Sequence, residues 1–251
     1  MLRLIILVKS SNIMTNEFTS RTDIFSAELV KTVNTLGDDL LEALYDCDVM
    51  DISNVLNKDF ALIRIAETAC EYCSSQKEME REHIDLLVVL YNIFSFIGDF
   101  ETSQKYAKQG VEVAKKSEVM EYIAEAYFLC TNATISCALG VASSVLEKAT
   151  EDDDNSVPEY IEDKAIEFIN EIVDSSHEAF ILYIKLALEA AVSLGLVEES
   201  LKDKTDEESI VNTVTTLSEA IEKVEKTEEV MNIVNFLQIA VEMNETVGLI
   251  D

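Results

Sequence analysis

Apolar residues recur at steps of three and four along most of the chain, which is the spacing of one face of an α-helix. The pattern is clearest between Ile84 and Lys116, where two helical segments of similar length meet at Gly98-Asp99-Phe100. The first segment is almost wholly apolar, and the second is amphipathic with lysines on its polar side. Together they predict a helical hairpin with a tight turn.

The same periodicity predicts further helices on both sides of this hairpin. At one expected break, Ser175 and Glu178 have the spacing of a capping box, which marks a helix start. Thr227 is expected to cap a helix near the end of the chain. Polar or glycine-containing stretches are expected to separate the helices at Gly37–Asp39, Asp46–Asn57, Thr131–Thr134 and Asp174–Ser176.

Glycine and proline are scarce, which bears on the fold class. The chain has six glycines and one proline in 251 residues. Sheet proteins need turn residues at short intervals, and this chain does not supply them. We therefore predict an all-α protein of about nine or ten helices.

One acidic stretch divides the predicted helices into two groups. Residues 151–157 are acidic and run into Pro158, which is favourable at a first helical position. We predict a helical-hairpin array over 23–150, a linker over 151–157, and C-terminal hairpins over 158–251 that continue or cap the array. Residues 1–22 are poorly patterned and are expected to form a poorly ordered tail.

The central hairpin resembles a tetratricopeptide (TPR) repeat. That family has a leucine and an aromatic residue in its first helix, a Gly-Asp-aromatic turn, and small residues where the second helix crosses the first. The matching positions here are Leu90, Phe94, Gly98-Asp99-Phe100, Ser103 and Gly110.

The resemblance covers one repeat and departs from the family pattern at Tyr91, Ala107 and Lys115. It implies antiparallel hairpins stacked as a short right-handed TPR-like solenoid. Stacked hairpins of this kind expose a large concave surface. The implied function is a scaffold or adaptor that binds another protein or peptide.

The charge balance excludes some classes of partner. The net charge is -30, from 49 acidic and 19 basic residues. Nucleic-acid binding requires phosphate neutralisation by basic residues, and the same repulsion opposes docking on anionic membranes. No stretch reaches the roughly 18 continuous apolar residues of a membrane span. Strong acidity favours solubility, attraction of a basic partner, or mimicry of nucleic acid.

Five cysteines, an odd number, favour free thiols and a reducing, cytoplasmic location. Cys70 and Cys73 form a C-x-x-C inside a predicted helix, with no second pair to complete a zinc site. We expect them to be buried as small apolar side chains.

No catalytic motif is present: the chain lacks a G-x-S-x-G, a glycine-rich phosphate loop and an H-E-x-x-H. We therefore expect no enzymatic activity and no cofactor. One metal-site alternative stays open, because both histidines follow an acidic residue by three positions. Glu80 with His83 and Asp174 with His177 would each be half of the di-metal pattern of ferritin-like bundle enzymes.

A locally basic helix is the candidate partner site. Its four lysines, with two aromatic residues of the preceding helix, are Lys105, Lys108, Lys115, Lys116, Tyr91 and Phe94. A docking surface for an acidic peptide is one interpretation. Pairing of the lysines within the protein and core packing of the aromatics are the other. An acidic decoy for a nucleic-acid-binding protein is a further functional alternative, from the net charge alone.

Overall fold

The computed structural model describes residues 26–46, 52–76, 78–151, 159–202 and 207–248. Within these residues there are eight α-helices and one short 3₁₀ helix, and no strand, so the all-α prediction is confirmed. The α-helices are α1 (Ala27–Asp46), α2 (Ile52–Ser75), α3 (Glu80–Phe96), α4 (Phe100–Ser117), α5 (Met120–Glu151), α6 (Glu159–Ser193), α7 (Glu207–Glu222) and α8 (Glu228–Gly248). The 3₁₀ helix is Glu199–Leu201.

The chain forms two compact units, one ending at Ser117 and the other beginning at Glu118. The first unit contains α1 to α4, and the second contains α5 to α8. The predicted tail over 1–22 lies outside the described residues, and so does nearly all of the predicted linker over 151–157. Both assignments stay predictions.

In the first unit, α3 is the central helix and packs against α1, α2 and α4. It is central because its sequence is apolar on several sides, so it can be covered by more than one neighbour. Its most buried side chains are Ile84, Leu86, Leu87, Leu90 and Ile93. Burying each of them contributes roughly 1.5–3 kcal/mol.

The turn between α3 and α4 lies where the sequence predicts it. Gly98 has φ +79°, a left-handed conformation that ends α3. The Gly98 amide donates to the Ser95 carbonyl at 3.1 Å, and the Asp99 amide donates to the Phe94 carbonyl at 2.9 Å. The Asp99 carboxylate then accepts from the Thr102 amide at 3.2 Å and caps α4.

The predicted interruption at Gly37 is wrong. α1 continues through this residue because it packs closely on α3 there. A Cβ atom added at Gly37 would overlap the Val89 side chain. The glycine is therefore needed for close contact between two helices, and it does not end one.

In the second unit, α6 is the central helix and packs against α5 and α8. The core is built largely from Ala187, Leu188 and Ala191 of α6, with Leu217 of α7 and Ile233 of α8, all fully buried. Because alanine side chains are small, the alanines of α6 allow α5 and α8 to pack close to it. The helix ends at Ser193, and Gly195 just after it has φ +69°, a left-handed conformation that follows many helix ends.

The two predicted breaks in this unit are also wrong. α5 runs unbroken through Thr131–Thr134, and α6 runs unbroken through Asp174–Ser176. The hydroxyl of Thr134 donates to the carbonyl four residues earlier, at 2.9 Å, so it is satisfied within the helix. Within the described residues, each of these continuous helices therefore replaces two helices that were predicted separately.

The polar stretch before α2 is shorter than predicted. The sequence suggests a turn over Asp46–Asn57, whereas α2 already begins at Ile52. Polar residues alone do not end a helix when no glycine or proline is present, because each added residue gains one backbone hydrogen bond.

One segment of the described residues, Met120–Ser143 in α5, is long and apolar enough to cross a membrane, with a mean hydropathy of 1.3. Length and composition alone are weak support for a membrane span, because core helices of soluble proteins share them.

Candidate interaction surfaces

The four lysines of the predicted partner site lie together on the exposed side of α4. This follows from the amphipathic pattern of the helix, whose opposite side buries Tyr106, Ala107 and Ala114. Lys115 is 3.8 Å from Glu112 on the same helix. The lysines therefore form a solvated cationic face that is partly neutralised by its own helix.

Tyr91 and Phe94, the two aromatic residues of the predicted partner site, are half-buried and are not part of the cationic face of α4. Phe94 packs on Tyr106 with ring centroids 5.6 Å apart, on the buried side of α4. Burial raises the pKa of Tyr91, which lies near Tyr45 of α1. Phe94 thus takes part in packing between α3 and α4, and its role in binding a partner stays a prediction.

A polar contact connects α4 to α2 through Tyr106. Its hydroxyl donates to Glu67 at 2.8 Å, and Arg64 lies 3.4 Å from the other oxygen of that carboxylate. Burial, followed by the hydrogen bond to Glu67, raises the pKa of Tyr106 far above the ordinary value. The phenol is therefore a fixed hydrogen-bond donor that holds two helices together.

Cys70 and Cys73 are free and buried on α2. Burial raises the pKa of both thiols, that of Cys73 to about 12. Burial therefore keeps both thiols neutral, which makes them poor nucleophiles in this environment.

The candidate metal ligands are divided between the two units. Glu80 and His83 lie at the start of α3, whereas Asp174 and His177 are exposed on α6. Among the residues that the structure describes, no group of three or more His, Cys, Asp or Glu could hold a metal ion. The described part of the chain therefore offers no ligand set for the di-metal alternative.

An open groove between α7 and α8 is the surface that sequence reasoning did not identify. Its volume is about 410 Å³. Ile221 and Leu237 are buried and form its floor, while Val241 is 47% exposed. The remaining lining residues are Val214, Ser218, Glu222, Val234, Gln238, Glu242 and Glu245.

The groove exists because the two helices cover the core without closing on each other. Both contribute side chains to the core that surrounds α6, but they approach one another closely at few points. The apolar strip between them is thus only partly covered. A usable signal was present in the sequence: the apolar residues of α8 are spread too widely for a single buried face.

No protein-family model matches this chain, and neither a curated protein nor a solved structure matches it. Function must therefore be inferred from the chain's own chemistry.

Proposed function

We propose that the protein is a non-catalytic scaffold that binds another protein through the groove between α7 and α8. The observation that supports this is an apolar strip that remains open to solvent along two helices. A small-molecule site encloses most of its ligand, whereas an open groove along two helices suits a protein segment.

A TPR-like arrangement of the first unit belongs to the same proposal. Two consecutive helix pairs, α1–α2 and α3–α4, are adjacent there, and α3 contacts all three other helices. Ser103 of α4 also donates to the Tyr91 carbonyl of α3 at 3.0 Å, as expected where paired helices cross closely. These contacts support stacked hairpins in that unit.

Site-specific photo-crosslinking tests the scaffold function. We would place a photoreactive amino acid at Gln238 in the groove and, as a control, at Asn232, another exposed amide position on α8. In native extract we expect one defined protein to crosslink from Gln238 and not from Asn232. Equal crosslinking from both positions, or none from Gln238, would contradict the proposal.

Two valine variants give that experiment a matched control. Val241→Gln removes an apolar wall of the groove, while Val211→Gln changes a valine on α7 that is 69% exposed and does not line it. We expect only Val241→Gln to abolish the crosslink. In about 0.5 M salt the crosslink should weaken but persist, whereas an acidic decoy would release its partner completely.

A further inference from the structure

We infer that the occupant of this groove is a cationic amphipathic helix of a partner protein. The inference rests on the proposed function and adds the chemistry of the partner. It is drawn from the shape of the groove and from the charges at its edge.

The dimensions of the groove fit a helix. On α8 it extends from Val234 to Glu245, a rise of about 17 Å or roughly three helical turns. A helix of that length presents apolar side chains at positions i, i+3 or i+4, and i+7. Such a row would lie over Ile221 and Leu237 and against Val241.

The edge of the groove is mostly acidic, and a basic group close to it, the Lys226 ammonium, donates to the Ile221 carbonyl at 3.2 Å. Glu222, Glu242 and Glu245 line it, and no basic side chain does. α8 has four glutamates and no lysine, arginine or histidine along its length. A partner with lysines or arginines beside its apolar row would be attracted at this edge, and an acidic or neutral segment would not.

The helix dipole adds to this preference. Glu245 lies in the last turn of α8, where the helix dipole places partial negative charge. Carboxylates are disfavoured at that position in the free protein. A bound cation relieves the repulsion, so the binding free energy includes this gain.

Among the described helices, none in a second copy of this chain fits the description of the occupant. The described helix that is richest in lysine is α4, and it already buries its apolar face within the first unit. A partner helix must have its apolar row and its cationic side chains exposed at the same time, and of these two α4 has only its lysines exposed.

Fluorescence anisotropy with designed peptides tests the inference on the full-length protein. The probe is a labelled 18-residue helix, roughly five turns, with leucines in one row and lysines on both sides of it. One control peptide has the same residues scrambled around the helix, and the other has glutamate in place of lysine. We expect the probe to bind at about 0.15 M salt and both controls to bind at least about tenfold more weakly.

Two triple variants distinguish attraction by the groove carboxylates from attraction by the net charge of the protein. Glu222→Gln, Glu242→Gln and Glu245→Gln together remove the groove carboxylates. Glu167→Gln, Glu178→Gln and Glu189→Gln together remove three exposed carboxylates of α6 and leave the same net charge. We expect about tenfold weaker probe binding in the first variant and unchanged binding in the second. Equal weakening in both would overturn the inference, because it would mean bulk attraction to an acidic protein.

The two proposals can fail separately. If the probe does not bind but crosslinking from Gln238 is still lost in Val241→Gln, the groove binds a partner that is not a cationic helix. If the crosslink is absent as well, the scaffold function fails with it.

Discussion

Two adjacent serine hydroxyls on α6, those of Ser175 and Ser176, differ in their hydrogen bonding. The Thr131 hydroxyl of α5 donates to Ser175 of α6 at 2.9 Å, and Ser175 donates to the Glu171 carbonyl at 2.7 Å. The next residue, Ser176, is fully buried, and its hydroxyl has no hydrogen-bond partner among the described residues. We therefore expect these adjacent serines to make opposite contributions to stability.

Replacing each serine by alanine should change stability in opposite directions. Ser176→Ala removes a buried polar atom without a partner, and we expect the free energy of unfolding to rise by about 1 kcal/mol. Ser175→Ala removes a satisfied hydroxyl and leaves Thr131 without its partner on α6, so a loss of about 1 kcal/mol is expected. Urea unfolding followed by circular dichroism measures both. A loss of stability in Ser176→Ala would show that its hydroxyl has a partner after all.

His83 should make the stability of the first unit depend on pH. Burial, and then the nearby Lys116, lowers the pKa of His83 below its ordinary value. The unfolded chain therefore takes up a proton at higher pH than the folded chain does. This contribution to stability is complete above the unfolded pKa of about 6.5 and is lost as pH falls through the folded pKa.

The His83→Gln variant tests that sign. We expect the stability difference between wild type and variant to shift against the wild type as pH falls from about 7.5 to about 5. The exposed His177 supplies the control variant, His177→Gln, because its side chain is already in water. A pH-independent difference for His83→Gln would contradict the burial of a neutral imidazole.

At the scale of helices, glycines have two different roles in the first unit. Gly37 lies where α1 meets Val89 of α3, and a Cβ there would overlap that side chain. Gly110 of α4 corresponds to a small-residue position of the TPR pattern, yet a Cβ there would meet no atom within 4 Å. Only the first glycine is required by packing.

Alanine substitutions should separate the two roles. Gly37→Ala is expected to lower the free energy of unfolding by about 1–3 kcal/mol through overpacking. Gly110→Ala is expected to raise it by up to about 1 kcal/mol, since alanine is the better helix former. Thermal unfolding of both variants measures the effects. Combining Gly37→Ala with Val89→Ala should cost less than the sum of the two changes, and strict additivity would rule out the contact.

At the scale of the whole molecule, the net charge of -30 opposes folding through self-repulsion. Raising sodium chloride from about 0.01 M to about 0.15 M shortens the screening length from about 30 to about 8 Å. We expect the melting temperature to rise by about 2–4 °C. The melting temperature of the α6 triple variant, which has three fewer negative charges, should rise less over the same change in salt. A melting temperature that does not change with salt would show that the carboxylates are too dispersed to repel.

The sequence by itself determined the helical class, the α3–α4 turn and the exposed face of the lysine helix. These features depend on neighbours along the chain: the apolar period, a glycine that can adopt positive φ, and an aspartate that caps the next residue. The burial of the C-x-x-C agrees with the expectation that both cysteines act as small apolar side chains.

Only the tertiary structure decided where helices continue and where a groove opens. Gly37, Thr131 and Ser175 look like helix breakers along the chain, but each lies where two helices pack together. The groove depends on α7 and α8 covering one core without closing on each other. The reason is physical: packing between helices joins residues far apart in sequence, so the wide apolar spread of α8 does not show which of its residues stay open.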